Sequence, residues 1–299
     1  MSVAKDPVPG NMPSTTESTK GHTSFEAITG TVFQSNGELL VDETQALVET
    51  TLKAMRASLA AKPAWRKAPE PTDDFLLMFL RAETFDADKA AHRYRQFWKL
   101  KVTLWGEDKA HLPPSTSDCL KALQTPYFQH VPGTKDREGR QVFLTTECAK
   151  DLKISKDERA RAIWYVLLAA LEDVETQRRG TCFVINLKDI KYSSVEIKFN
   201  LIILETLQNA LPLRLGTINI LYPPSFFRII WNMMCPFMSK NFQQKVRVIP
   251  AANTLRKLEE VVEVAGIPEP MGPKKLDFQS WVEQRVGMET PQGSNGSSS

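Results

Sequence analysis

The sequence has few of the residues that build metal sites and nucleophilic active sites. It contains only four cysteines and four histidines, and no two cysteines form a CxxC pair, so a zinc or thioredoxin-like site has little support. It also lacks a GxSxG nucleophile elbow and an HExxH metal motif. The segment Gly133–Gly139 precedes a predicted strand, whereas a phosphate-binding loop follows one, so we interpret it as a hairpin turn. The sequence therefore predicts no catalytic constellation.

Long apolar runs and a strong charge imbalance are also missing. The N-terminus has no apolar core of a secretory signal, and a run such as Ile163–Leu171 is far shorter than the ~20 residues of a membrane-spanning helix. The net charge of +3 is too small to indicate a nucleic-acid partner. We therefore expect a cytoplasmic protein that associates with membranes only peripherally. Apolar neighbours predict buried, reduced thiols at Cys119, Cys148, Cys182 and Cys235.

The composition is that of a folded α/β protein. Hydrophobic residues make up 42% of the chain, which is enough for a sizeable core. Residues 1–40 are rich in Ser, Thr, Pro and Gly, so we interpret them as a disordered leader, and we interpret residues 286–299 as a disordered tail. Residues 41–114 have the apolar spacing of a small helical module, with Thr72 and Asp86 as helix caps.

Residues 115–285 alternate between apolar strands and helices, which predicts a mixed or parallel sheet flanked by helices. Two long helices are predicted, at residues 158–176 and at about 194–211. The predicted strands are residues 141–145, 182–187, 217–222 and 246–249.

The segment PPSFFRIIWNMMCPFMSKNF, which begins at Pro223, has an unusual pattern. Apolar side chains cover most of the circumference of a helix here, so the helix is either wholly buried or meets apolar partners on two sides. Two interpretations stay open: a core helix, or a cover that seals an apolar cavity and touches a bilayer through its Trp and Met side chains. Pro236 should end or kink the helix. One face would carry Phe226, Ile230, Met233 and Phe237, while Ile229, Trp231 and Met234 lie on other faces.

Several stretches of the chain, taken together in their sequence order, resemble the CRAL-TRIO lipid-binding family. Within that family they are similar to the branch that includes the α-tocopherol transfer protein, cellular retinaldehyde-binding protein and the clavesins. The resemblance extends from about residue 42 to about residue 285. It is carried by Asp74–Asp86, Glu175–Gly180, Leu211–Pro224, Cys235–Met238 and Ile267–Gly272.

The resemblance implies a fold and a set of site residues. The fold is an N-terminal helical module followed by a mixed sheet that, with its flanking helices, encloses an apolar cavity under a mobile gate helix, here at residues 225–241. Contact with a membrane or a phosphoinositide is implied for Arg214, Trp231, Lys240 and Lys245, although Gly216 replaces a second basic residue of the family. The implied ligand-binding residues are Ile163, Leu167, Thr181, Ile185, Ile203, Thr206, Leu207, Leu213, Leu215, Ile218, Phe227, Ile230 and Met234.

Departures from the family narrow the expected ligand. Members that transfer phosphatidylinositol have a glutamate and a lysine where this chain has Ile202 and Cys235, and an inositol phosphate buried without charged partners would be costly. The tocopherol transfer protein has small hydroxyl residues where this chain has Ile163 and Leu167. We therefore expect a dry cavity and a weakly polar ligand such as a tocopherol, retinoid, sterol, carotenoid or other lipid, with no cofactor.

The leading hypothesis is a monomeric, non-catalytic protein that binds one hydrophobic small molecule and exchanges it at membrane surfaces. The expected partners are that molecule and a membrane surface, with phosphoinositides among its lipids, and no nucleic acid. Two alternatives keep the lipid: a lipid-dependent sensor or adaptor, and a phosphatidylinositol-type transfer protein. A third is an uncharacterised α/β enzyme, for which Asp189, after a predicted strand, is the acid to test first.

Overall fold

The fold is described by a computed structural model that covers residues 30–33, 39–145, 153–267, 269, 272–275 and 277–290. Most of the predicted leader, the end of the predicted tail and Cys148 lie outside these residues. The cysteines that the structure does describe are free thiols. Cys119 and Cys182 are buried as predicted, whereas Cys235 is half-buried.

The N-terminal module consists of three helices, and the predicted caps are where the sequence placed them. The hydroxyl of Thr72 and the carboxylate of Asp86 each accept a backbone N–H of the helix that follows. Aromatic rings from the second and third helices, among them Phe79 and Phe97, pack edge to face in the module core. The helices are α1 (Gln45–Ala61), α2 (Asp73–Ala82) and α3 (Ala87–Trp105).

A five-stranded mixed sheet forms the centre of the larger domain, which confirms the predicted fold class. Its strand order is β3-β4-β5-β6-β7; β3 and β4 are antiparallel, and the remaining neighbours are parallel. The turn between β3 and β4 contains Gly139, so the predicted hairpin turn is confirmed. The strands are β3 (Gln129–Lys135), β4 (Gln141–Thr145), β5 (Thr181–Asn186), β6 (Leu215–Leu221) and β7 (Val246–Ile249).

The two faces of the sheet bury different side chains, because successive residues of a strand point to opposite faces. Phe143, Phe183 and Ile218 are in register across β4, β5 and β6 and belong to the larger core. The neighbouring residues Val142 and Cys182 belong to a second core on the other face. Each face of the sheet is therefore covered.

One of the two long helices predicted beside the sheet is divided in the structure. The predicted helix at residues 158–176 is two helices, because the backbone turns after Ala170 and the Asp173 carboxylate caps a new start at Val174. None of the helices in the described residues is both long and apolar enough to cross a membrane. The helices are α4 (Leu120–Leu123), α5 (Lys156–Ala170), α6 (Val174–Arg179), α7 (Ile197–Glu205), α8 (Phe227–Met234), α9 (Lys240–Gln244), α10 (Thr254–Glu259) and α11 (Phe278–Glu289).

Two predicted domain limits also need correction. Residues 30–33 and 39–43 form an antiparallel strand pair, β1 (Gly30–Phe33) and β2 (Leu39–Glu43), although the prediction extended disorder to residue 40. The paired segments are too short to show a periodic signal. At the other end, α11 continues past residue 286 to Glu289, whose carboxylate accepts hydrogen bonds from Thr116 and Tyr165.

A buried ion cluster joins the helical module to the larger domain. The Glu43 carboxylate of β2 is fully buried, and it accepts hydrogen bonds from Arg81 of α2 at 3.0 Å and from Arg178 of α6 at 3.0 Å. Because a buried carboxylate needs such partners, β2 fixes the position of α2 relative to α6.

Candidate functional site

A cavity of about 300 Å³ lies on one face of the sheet, under α5, α7 and α8. This volume is at the lower end of the range for small-molecule pockets, about 300 to 1,000 Å³. Its floor is made by side chains that alternate along β5 and β6, namely Phe183, Ile185, Ile218 and Ile220. The wall is mostly apolar, which suits a hydrophobic occupant.

Eight of the predicted ligand-binding residues line this cavity, and they come from five elements and the segment that follows α7. The helices and that segment contribute one wall and the cover, and the strands contribute the floor. Their contact with a ligand stays a prediction. These residues are Ile163, Ile185, Ile203, Leu207, Ile218, Phe227, Ile230 and Met234.

Three predicted ligand-binding residues lie outside the cavity wall because they are used in packing. Leu167 is fully buried in the main core. Thr206 accepts a hydrogen bond from Trp164 Nε1 at 2.8 Å and donates to a backbone carbonyl of α7, so its hydroxyl is already satisfied. Thr181 donates to the backbone carbonyl of Arg214 at 3.1 Å. None of the three lines the apolar cavity, and their contact with a ligand stays a prediction.

Leu213 and Leu215 are also outside the apolar cavity. Both line a second hollow of about 400 Å³, which we call the basic pocket. The strand register shifts between Thr181 and Cys182. This irregularity interrupts the alternation of side chains between the two faces of the sheet, so alternation alone does not predict the face on which Leu215 lies.

The inner face of α8 covers the apolar cavity. Phe227, Ile230, Trp231 and Met234 line the cavity, with the spacing of one helix face. Trp231 stacks on Phe227, with ring centroids 6.1 Å apart. Trp231 is half-buried in the cavity wall, and its contact with a membrane stays a prediction.

The outer face of α8 is apolar as well, and it is exposed. Ile229 is 56% exposed, Met233 46% and Phe237 57%. Ile229 and Met233 lie one helical turn apart, and Phe237 continues the stripe in the short 3₁₀ turn Cys235–Phe237. We call Ile229, Met233 and Phe237 the outer stripe. The helix ends at Met234, directly before this proline-containing turn, as predicted.

The side-chain amide of Gln208 connects the end of this cover to the helix behind it. Gln208 lies in a π-helical segment, Thr206–Ala210, that continues α7. Its side-chain amide donates to the carbonyl of Phe237 at 3.0 Å, and its side-chain oxygen accepts the N–H of Ser239 at 2.8 Å. Single-turn π segments often occur at functional sites. The sequence pattern did not indicate this contact, because it joins residues far apart in the chain.

The basic pocket lies beside the apolar cavity and shares Leu207 and Phe242 with it. Burial lowers the pKa of Arg214 to about 10, while the nearby Glu83 opposes this shift. Burial also lowers the pKa of Lys245, and neighbouring arginines, Arg214 first, contribute to this shift. The basic side chains of the wall are Lys89, Arg93, Arg179, Arg214 and Lys245.

Two of the three basic residues predicted for phosphoinositide contact meet in this pocket. Arg214 and Lys245 line it, and Lys245 Nζ donates to the Leu215 carbonyl at 2.6 Å. Lys240 is exposed in the first turn of α9 and does not line the pocket, so its predicted grouping with the other two is corrected.

The apolar cavity also has a polar corner that sequence reasoning missed. The Arg159 guanidinium of α5 lines the cavity and forms an ion pair with Glu196, which lies just before α7. Arg159 precedes the predicted residue Ile163 by one helical turn, so helical spacing would have placed both side chains on the same face. The expectation of a uniformly dry cavity is therefore corrected at this corner.

Comparisons with known proteins identify the class of protein to which these features belong. The sequence profile described as CRAL/TRIO domain matches residues 125–272. That range contains the five-stranded sheet, including the strand residues that line the apolar cavity. Residues 125–272 are therefore a CRAL/TRIO domain, in agreement with the family that the motifs predicted.

Individual relatives are distant, and the chain spans only part of them. The tyrosine-protein phosphatase non-receptor type 9 of Homo sapiens is 24% identical over 208 residues, which cover 68% of this chain and 33% of that protein. The alpha-tocopherol transfer protein-like protein of Homo sapiens is 24% identical over 221 residues, covering 67% of this chain and 64% of that protein. The crystal structure of Sfh5 aligns with 10% identity and a TM-score of 0.49, covering 82% of this chain and 97% of that one. The chain thus spans about a third of the phosphatase relatives.

Proposed function

We propose that this protein binds one hydrophobic molecule in the apolar cavity and exchanges it at membrane surfaces, with α8 and the turn after it as the mobile gate. The observation that carries this proposal is the two-sided character of α8. Its inner face lines the cavity, and the outer stripe is exposed. An exposed apolar stripe on a helix that covers an apolar cavity is expected where a protein meets lipid.

The basic pocket supports docking to an anionic surface. It gathers five basic side chains beside the gate, and Phe242 connects it to the cavity. Each basic residue near an anionic membrane surface contributes about 1 kcal/mol of attraction. Burial makes the charged forms of Arg214 and Lys245 less favourable, and repulsion from nearby arginines adds to this cost for Lys245. An anion in the pocket would relieve the cost. A phosphoinositide headgroup is the anion we propose.

The ligand that we propose is a weakly polar lipid rather than phosphatidylinositol. Ile202 and Cys235, which stand where phosphatidylinositol-transferring relatives are expected to have charged residues, do not line the cavity. A buried inositol phosphate would need several paired charges. Affinity for a weakly polar lipid would come mainly from burial of apolar area, at roughly 25 cal/mol per Å² before the costs of binding.

We also infer a binding role rather than a catalytic one. Asp189, the acid expected to matter most in an enzyme, is exposed and lies in a turn with φ 64°. It is not among the residues that line the apolar cavity. This is the placement of an ordinary loop residue that follows β5.

Retinol transfer between vesicles tests the proposal. Donor vesicles carry retinol, acceptor vesicles contain a quencher and an anionic phosphoinositide, and the decrease in retinol fluorescence is followed over time. The double variant Ile229→Asp, Met233→Asp should transfer at least tenfold more slowly, because charge on the outer stripe opposes insertion into the bilayer. Retinol binding in solution should be unchanged.

Asn232→Asp is the matched control, since it adds a charge at an exposed position of the same helix that is not part of the outer stripe. It should transfer at close to the wild-type rate. The proposal fails if the wild-type protein neither binds nor moves retinol, or if the double variant transfers as fast as the wild type.

A further inference from the structure

The polar corner of the apolar cavity has the properties of a recognition site. Arg159 lies in the first turns of α5, and its side chain is only 6% exposed although it carries a charge. Charged side chains are rarely buried to this degree without a specific partner. Arg159 is also one of the residues that line the apolar cavity.

The known partners of Arg159 leave one of its donors unused. The guanidinium forms an ion pair through Nη2 with Glu196 Oε2 and lies over the Phe199 ring, 4.5 Å from its centroid. Arg159 Nε is buried and has no acceptor in the described structure. A buried N–H without an acceptor is rare in proteins and normally indicates water or a ligand.

Position distinguishes this donor from a similar one nearby. Arg161, two residues further along α5, also has a buried Nε without an acceptor among the described residues. Arg161 does not line the apolar cavity, whereas Arg159 does. The unused donor alone therefore does not define a site, but an unused donor in the wall of an apolar cavity does.

The charge of the corner selects the ligand group. The Glu196 carboxylate already neutralises Arg159, so a second carboxylate would be repelled by Glu196. A neutral hydroxyl fits better, because its oxygen can accept a hydrogen bond from Arg159 Nε while its hydrogen is donated to Glu196. The Glu196 carboxylate can accept this second hydrogen bond in addition to the one from Arg159.

We propose that Arg159 and Glu196 bind the hydroxyl of a lipid alcohol and so select it over a hydrocarbon or a fatty acid of the same length. This assignment rests on the proposed lipid-binding function of the cavity. The alkyl part would lie over the strand floor at Phe183 and Ile185, and its polar end would lie at the start of α5.

Competition with retinol measures this preference. Hexadecanol, hexadecane and hexadecanoic acid are delivered from the same cyclodextrin stock, and displacement of retinol fluorescence gives their relative affinities. In the wild-type protein hexadecanol should bind about fivefold more tightly than hexadecane, as expected for one or two net hydrogen bonds, and more tightly than hexadecanoic acid.

Arg159→Met removes the Nε donor, and it should bring hexadecanol to the affinity of hexadecane while hexadecane itself binds as before. Arg161→Met is the matched control, on the same helix but outside the cavity, and it should keep the fivefold preference. Circular dichroism and a thermal melt show whether each variant is folded. If Arg159→Met does not fold, the double variant Arg159→Met, Glu196→Met, which leaves no unpaired buried charge, should lose the preference in the same way.

Glu196→Gln gives a result that a purely structural role for the pair would not produce. With the neutralising carboxylate removed, the charge of Arg159 should attract an anion, so the order should reverse and hexadecanoic acid should bind more tightly than hexadecanol. Equal binding of hexadecanol and hexadecane to the wild type, or an unchanged order in Glu196→Gln, would overturn the assignment. Failure of the wild type to bind retinol and all three probes would instead refute the proposed function.

Discussion

The two hollows of this protein lie side by side and share Leu207 and Phe242, yet their walls have opposite chemistry. The apolar cavity is floored by strand side chains and covered by α8. The basic pocket is lined by five basic side chains from α3, α6, the start of β6 and the end of α9. One hollow can hold a hydrocarbon, and the other can hold an anion.

Under the proposed function, this contrast would let one small region recognise both a cargo and a surface. Burial of apolar area is insensitive to salt and pH, whereas attraction between exposed charges is screened by salt. Changes in the apolar cavity should therefore alter cargo binding alone, and changes in the basic pocket should alter membrane docking alone. Gln208 lies at the boundary, since it lines the basic pocket and holds the end of the gate.

Filling the apolar cavity should give the largest effect. Ile203→Trp adds volume to the cavity wall, and it should weaken retinol binding by at least tenfold while docking to anionic vesicles is retained. The neighbouring Ile202→Trp is the control, because Ile202 does not line the cavity and should leave retinol affinity nearly unchanged. Fluorescence titration measures both, and a thermal melt should show a loss of roughly 1 to 3 kcal/mol from overpacking. Equal retinol affinities in the two variants would refute the separate roles.

Neutral substitutions in the basic pocket should have the next largest effect. Arg214→Gln and Lys245→Gln should each weaken sedimentation with phosphoinositide vesicles by roughly fivefold, as about 1 kcal/mol per basic residue predicts. Retinol affinity in solution should not change. Arg247→Gln is the control, since Arg247 is exposed near the pocket without lining it.

The pKa of Lys245 adds a pH test to this prediction. Because burial lowers that pKa below its ordinary value of 10.5, Lys245 loses its charge at a lower pH than a solvated lysine does. Vesicle docking should therefore weaken as the pH rises toward 10.5, and Lys245→Gln should remove part of this dependence. Retinol binding that falls in parallel would contradict the separation of the two hollows.

Release of the gate should give the smallest effect. Gln208→Ala removes both hydrogen bonds to the end of the gate, which is about 1 to 2 kcal/mol of net interaction, so retinol should dissociate several-fold faster. Stopped-flow fluorescence measures the dissociation rate. Asn209→Ala is the control, because the Asn209 amide donates to Glu205 and not to the gate. Equal dissociation rates in the two variants would show that Gln208 does not hold the gate.

Local patterns predicted the structure well wherever neighbours in sequence decide it. The caps at Thr72 and Asp86 and the end of α8 before Pro236 follow from side chains within one turn of the helix terminus. The break after Ala170 was missed because the apolar pattern continues across it, and only the Asp173 cap marks the second helix.

The site was predicted less completely, because apolar character does not specify direction. Helical spacing grouped Ile230 with Met233 and placed Met234 on another face. In the structure Ile230 and Met234 line the cavity together, and Met233 is exposed. The contact between Arg159 and Glu196 was not predicted, because nothing in the local pattern indicates that α5 and the start of α7 meet.

The amino-acid sequence by itself determined the α/β class, the helical module, the family and an α8 segment that is apolar on more than one face, because these features depend on spacing along the chain. Only the tertiary structure decided which apolar face covers the cavity, which basic residues meet in one pocket and which charged pair enters the apolar wall. Those outcomes depend on how distant elements pack against one another, and a linear pattern does not contain that geometry.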